Sequence, residues 1–280
     1  MRRACGLLLI SSLVLAGCSS RSAAPARSIT LATATSAQDS GLLDVLLPAF
    51  ERESGIHVKV VAVGTGQALE LGKRGDVDVL LTHSPADEQE YIQAGHGLRR
   101  IPVMHNDFVV VGPANDPAQV KRLATVADAF AAIAKSGQPF VSRGDESGTH
   151  RKELELWQAA AIRPQGDWYL QAGSGQAQTL RLAHEKRAYT LTDRGTYLAI
   201  QTELDGFILL EGDERLLNYY SVITLNKTRH PHLRDREADL LATFLTSQPG
   251  QDLIRTFGVE KYGRPLFVPG GDEPASDGGK

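Results

Sequence analysis

Short apolar runs and longer amphipathic stretches take turns along this chain. Residues 29–32 lead into helical spacing over 42–53, residues 57–63 into 68–74, and residues 77–82 into 86–94. Each run has strand length, and each following stretch places apolar residues three and four positions apart, which predicts strand–helix units. Repetition of such units predicts an α/β fold with parallel strands. Two more strands are expected at 108–111, ended by Gly112-Pro113, and at 219–225. They bracket a second series: 139–142 with a helix over 148–160, 168–172 with 176–186, and 189–192 with 195–201. After the return, 238–244 and 250–257 again have helical spacing.

This order predicts two lobes, each a mostly parallel sheet flanked by helices, joined by two hinge strands. Lobe I takes residues 28–113 and 219–268, and lobe II takes residues 114–218. Open α/β sheets bind ligands beyond the carboxyl ends of their strands. The expected site is therefore the cleft between the lobes.

The first residues set the compartment. A basic start, Met1-Arg2-Arg3, precedes an apolar run over 7–15 and then Leu15-Ala16-Gly17-Cys18. That order predicts a lipoprotein signal peptide over residues 1–17, cleaved ahead of a lipidated Cys18. The run is about half the roughly 20 residues that a spanning helix needs. Cys5 would leave with the peptide and Cys18 would carry lipid, so no thiol remains for a disulfide, a metal or a nucleophile. Residues 18–27 are expected to form a flexible tether, and residues 269–280 a disordered tail. The expected location is the periplasmic or outer side of a membrane. A net charge of −3 with 22% charged residues gives no basic footprint for nucleic acid.

Four segments at expected strand ends carry hydrogen-bond donors. Thr35 and Ser36 follow the first strand, and Ser84 precedes Pro85 at the start of a helix. The densest segment is Ser142-Arg143-Gly144-Asp145-Glu146-Ser147-Gly148-Thr149-His150, with a guanidinium, three hydroxyls and a helix start within a few residues. A planar guanidinium can donate to two oxygens of a tetrahedral dianion, and Gly148 lets backbone come close. The fourth segment holds Thr192, Asp193 and Arg194, with Asp193 placed to pair with Arg194. Helix starts present free N–H groups to anions. The ligand-binding set is Thr35, Ser36, Ser84, Arg143, Ser147, Gly148, Thr149, Thr192 and Arg194.

Other chemistries fit poorly. Gly144-Asp145-Glu146-Ser147-Gly148 has the wrong spacing for a hydrolase elbow. Gly64-Thr65-Gly66 lacks the third glycine of a dinucleotide fingerprint, though it could lend backbone donors to the cleft. The eight histidines are scattered without metal-ligand spacing. His150 with Asp145 or Glu146 is the only set that resembles an acid–base group, and no nucleophile accompanies it. No enzyme activity, cofactor or metal is expected.

With these segments in view, the chain resembles the periplasmic substrate-binding proteins of tungstate ABC transporters, within the type II periplasmic-binding-protein fold. Thr35-Ser36 with Asp39-Ser40-Gly41-Leu42-Leu43, the segment from Ser142 to His150 followed by Glu153, and Thr192-Asp193-Arg194 carry the resemblance. Ala34 departs from it, standing where many members have a third hydroxyl. The resemblance implies a two-lobed clamp for tungstate, docking on an ABC permease, at a membrane reached through the lipid anchor. Molybdate has nearly the same size as tungstate. A molybdate or phosphate binder, an oxyanion sensor, and an enzyme acting on an anionic metabolite are the alternatives.

Overall fold

The computed structural model describes residues 27–270. The expected signal peptide, Cys18 and nearly all of the expected tether lie outside them, as does most of the expected tail. Arg27 already pairs with Ile56 in the sheet. Pro269 pairs with Met104, and the Gly270 N–H donates to the Val103 carbonyl at 3.0 Å. Those three residues therefore belong to the body rather than to the tether or tail. Among the described residues no helix is long and apolar enough to cross a membrane.

In chain order the first lobe begins with β1 (Arg27–Ala34), α1 (Thr35–Asp39), α2 (Leu43–Ser54), β2 (Ile56–Val63), α3 (Thr65–Arg74), β3 (Val79–Thr82), α4 (Pro85–Gln93) and β4 (Gly97–Pro113). The second holds α5 (Val126–Ser136), β5 (Phe140–Ser142), α6 (Gly148–Ala159), β6 (Tyr169–Gln171), α7 (Gln176–Lys186), β7 (Thr190–Asp193), α8 (Arg194–Ile200) and β8 (Gly206–Leu210). The chain returns through β9 (Leu217–Leu225), α9 (Asp235–Thr246), α10 (Gln248–Thr256), α11 (Val259–Tyr262) and β10 (Val268–Pro269).

Local chemistry explains the first units. The inner residues Leu31 and Ala32 of β1 are buried on opposite faces, as expected of a parallel strand covered by helices on both sides. Leu43, Leu46, Leu47 and Phe50 give α2 one apolar stripe. The helix ends at Gly55, whose φ of 67° is a conformation glycine adopts without a side-chain clash.

β1 pairs in parallel with β2 and β3, whereas β9 and β10 add antiparallel neighbours, giving the order β10-β4-β9-β3-β1-β2. The sheets are thus more mixed than the strand–helix alternation predicts. The reason is β4. Its first eleven residues, 97–107, run beside β9, and from Phe108 onward the same strand pairs antiparallel with β7 and β8. One continuous strand is shared by both lobes. The return crossing lies between the end of β8 and the start of β9.

The apolar cores are separate. One gathers Leu31, Leu46, Phe50, Val222 and Leu241, and another gathers Phe108, Phe130, Phe140, Trp157 and Tyr189. Trp157 lies 4.4 Å from Phe130 and 5.1 Å from Phe140 between ring centroids, and its indole N–H donates to Glu153 Oε1 at 3.0 Å. Trp157→Ala is expected to lower stability by about 3–5 kcal/mol, since a buried aromatic leaves a cavity that the surroundings fill only in part. Urea unfolding followed by circular dichroism checks it. A loss under about 1 kcal/mol would mean the lobe II core is not organised around this ring.

Candidate binding cleft between the lobes

Two cavities lie between the lobes, and the helix starts line them. The larger, about 530 Å³, takes Ser36 from α1, Gln176 from α7, and Asp193 and Thr196 at the start of α8. The smaller, about 310 Å³, takes Thr65 and Gly66 from α3, Ser84 and Pro85 at the start of α4, and Gly148 from α6. Six helices therefore begin on one cleft, three from each lobe. Helix starts turn partial positive charge toward it, although Ser147 and Asp193 already cap first-turn N–H groups of α6 and α8.

The sequence-selected residues have different surroundings. Thr35 is exposed at the first position of α1. Ser36 shares a 3.1 Å hydrogen bond with the Tyr220 hydroxyl. Ser147 occupies the cap position of α6, where its Oγ accepts from the His150 N–H at 3.3 Å and donates to Asp145 Oδ1 at 2.6 Å. Thr149 is buried in the next turn. The Arg143 guanidinium is ion-paired with Asp145 and is only 13% exposed, and its charge acts on both His83 and Asp193.

Several expectations are corrected by these contacts. Asp193 does not hold Arg194; its carboxylate caps α8, accepting from the Thr196 N–H at 2.8 Å and hydroxyl at 2.7 Å. Arg194 is instead buried between Asp107, through Nε–Oδ1 at 2.8 Å, and Glu211 at 2.6 Å. A carboxylate 87 residues away in sequence, on the crossing strand, outcompetes an adjacent one that the helix start already uses. The Thr192 hydroxyl points to its neighbour's carbonyl, Asp193 O, at 3.1 Å. The Ser84 hydroxyl donates to Asp87 Oδ2 at 2.7 Å, while its N–H donates to Glu88 Oε1 at 2.9 Å. At Gly148 a Cβ would collide with the His83 ring. The missing side chain therefore admits a neighbouring lobe, in addition to baring its own backbone.

Sequence reasoning missed the floor of the cleft. Asn218 Nδ2 donates to Asn106 Oδ1 at 2.7 Å and to the Tyr220 hydroxyl at 3.2 Å, so Asn218 Oδ1 faces His83 Nδ1, 2.9 Å away. The ring proton therefore sits on Nδ1. These residues come from two strands that meet only through the register of β4 with β9, where Asn106 opposes Asn218. Polar residues inside an apolar strand were the available signal. Thr65 was noted only for its backbone, yet its hydroxyl is buried, lines the smaller cavity and has no partner.

Burial shapes the electrostatics. The His83 pKa is brought down to about 4 by burial first, against the Asn218 hydrogen bond, with Lys152 and Arg143 adding repulsion. Burial also raises Glu153 and Asp193, each partly offset by hydrogen bonds from neighbouring side chains. Asp145 goes the other way: burial would raise it, but the Ser147 hydrogen bond and the Arg143 charge outweigh that and hold it low. Among the described residues no group of three or more His, Cys, Asp or Glu side chains could hold a metal ion.

A two-lobed α/β clamp with helix starts on its cleft defines a class, and the chain belongs to the PBP superfamily, whose domain model matches residues 19–248. Within that class it is similar to the tungstate-binding protein TupA of Peptoclostridium acidaminophilum, 46% identical over 272 residues that cover 94% of this chain and 95% of that protein. Among solved structures it is similar to the tungstate-binding protein TupA from Desulfovibrio alaskensis G20, with TM-score 0.80 and 42% identity over 88% of this chain and 100% of that one. It is also similar to the tungstate ABC transporter structure from Geobacter sulfurreducens, with TM-score 0.73 and 46% identity over 81% and 97%.

The position of His83 makes stability depend on pH. Its folded pKa of about 4 lies below the unfolded value of 6.5, so between those values the unfolded chain binds the extra proton. The stability held above pH 6.5 is therefore lost progressively as pH falls toward 4. In a comparison with His83→Gln by denaturant unfolding, the advantage of the unaltered chain should shrink across that window. Parallel stability curves for the two proteins would show that the ring titrates normally.

Proposed function

We propose that this chain captures tungstate in the cleft between its lobes and delivers it to an ABC importer, from outside the cytoplasm and tethered by lipid at Cys18. The observation that carries the reading is that six helix starts line two cavities between the lobes, with the Arg143 charge acting on a residue of each, His83 and Asp193. Family membership supports the transport role, and the choice of tungstate over molybdate rests on what the similar proteins are called.

The binding groups we assign follow the geometry. Thr35, Ser36 and the unpartnered Thr65 hydroxyl donate from lobe I. Arg143, Ser147 and the backbone at Gly148 and Thr149 donate from lobe II. Ser84, Thr192 and Arg194 are assigned to shaping the cleft, their hydroxyl and guanidinium groups being turned to Asp87, the Asp193 carbonyl, and Asp107 with Glu211; Arg143 and Ser147 bond to Asp145 on their own loop and would have to exchange that partner in part for the anion. An anion bridging both lobes favours the closed form in proportion to its preference for that form. Closure removes water, which strengthens each charge-assisted bond. Phosphate keeps a proton that a donor-only site leaves unpaired, and sulfate is smaller, so both should bind less well. Nothing in this scheme calls for turnover.

Calorimetric titration with tungstate, molybdate, sulfate and phosphate tests the reading. One-to-one binding of tungstate far above sulfate and phosphate is expected. Arg143→Ala should weaken it by about 10- to 150-fold, since a hydrogen bond to a charged group contributes about 1.5–3 kcal/mol. Absence of heat with all four anions from a folded sample would overturn the ligand class, and unchanged affinity in Arg143→Ala would overturn the assigned site.

A further inference from the structure

We infer that Arg151 and Asp87 form a latch between the lobes that holds the cleft closed and slows departure of its cargo. Arg151 lies on α6 of lobe II and Asp87 on α4 of lobe I, with Nη1 and Oδ2 2.8 Å apart. The same Asp87 oxygen accepts the Ser84 hydroxyl at 2.7 Å, so the carboxylate is held in place at the start of its own helix before the arginine arrives. Gly66 at the start of α3 leaves room for the guanidinium, because a Cβ there would stand 3.0 Å from Nη2. Three helices from two lobes thus meet at one side chain.

The position of Arg151 on α6 gives the pair its leverage. Gly148, three residues earlier and on the same face of the helix, packs against His83 of lobe I. The helix that presents the donor loop is therefore fixed to the opposite lobe at two successive points, by shape at Gly148 and by charge at Arg151. Arg151 lines both the smaller cavity and an outer one, and Asp87 faces the outer one with Glu70, Lys73 and Glu90. The pair sits at the rim, where it can govern opening without touching a central anion.

Its strength suits a reversible catch. The side chains are 46% and 40% exposed, so water and salt screen the attraction. A bond of this kind alters a closed–open equilibrium by about two- to fivefold and still lets a transporter pull the lobes apart. A buried pair in the same place would have held the cargo against its receiver.

The effect on release rests on the proposed function; the effect on closure does not. The full chain, Arg151→Ala, Asp87→Ala, the double variant, and the exchanged pair Arg151→Asp with Asp87→Arg are compared in two measurements. In stopped-flow chase of bound tungstate, each single variant should release about two- to fivefold faster. The double variant should be no faster than either single, the exchanged pair should return toward the original rate, and about 1 M salt should erase the differences. Additive effects of the two single changes, or unchanged rates, overturn the latch. Should the unaltered chain bind no tungstate, the proposed function fails and small-angle scattering of the unliganded proteins decides the latch alone. A radius of gyration that rises in both single variants, with no further rise in the double, supports it, and an unchanged radius overturns it.

Discussion

β4 is hydrogen-bonded into both sheets, first to β9 and then to β7 and β8. Because a strand satisfies its backbone groups only through neighbours, the two lobes cannot be assembled independently around it. The crossing at Asp107 and Phe108 fixes where the two sheets diverge, and therefore where their carboxyl ends face each other. The same crossing carries Asn106 into the floor of the cleft and Asp107 against the buried Arg194.

The cleft carries both donor groups and acidic residues. Several nearby carboxylates are already engaged: Asp193 by Thr196, Asp107 by Arg194, Asp145 by Arg143 and Ser147, Glu153 by Trp157 and Tyr169, and Glu155 by Lys152; Asp39 and Glu146 also line the cavities. A buried acceptor that has its donors satisfied no longer competes for them. Among the donors that line the cavities, the buried Thr65 hydroxyl has no partner. The net charge of the chain, −3, is therefore a poor guide to what its site attracts. Local geometry outweighs it.

The strand–helix alternation was legible because each unit buries apolar residues at a fixed period, as the stripe of α2 and the apolar core of β1 illustrate. The donor-rich turns were legible as well, since Ser84, Ser147 and Asp193 stand directly before helices. The first half of β4 was not. It contains Arg99, Arg100 and Pro102, which read as loop until Arg100 is seen to pair with the buried Glu88 at 2.8 Å and Pro102 to sit at a register shift. Partners of Arg194 were equally hidden, because sequence proximity suggested Asp193 whereas the fold supplied Asp107 and Glu211 from the two crossings between lobes. Contacts set by strand register over a hundred residues apart leave no local trace.

The contact between His83 and Gly148 joins these threads. A histidine cation at that place would face the N-terminal end of α6 and the charges of Lys152 and Arg143, an arrangement that repels the two lobes just where they meet. Burial keeps the ring neutral, with its proton committed to Asn218, so its other face can lie against backbone at no electrostatic cost. The glycine then lets helix and ring come together closely enough to shut out water. The start of α6 therefore packs against His83 of the opposite lobe and also lines the smaller cavity.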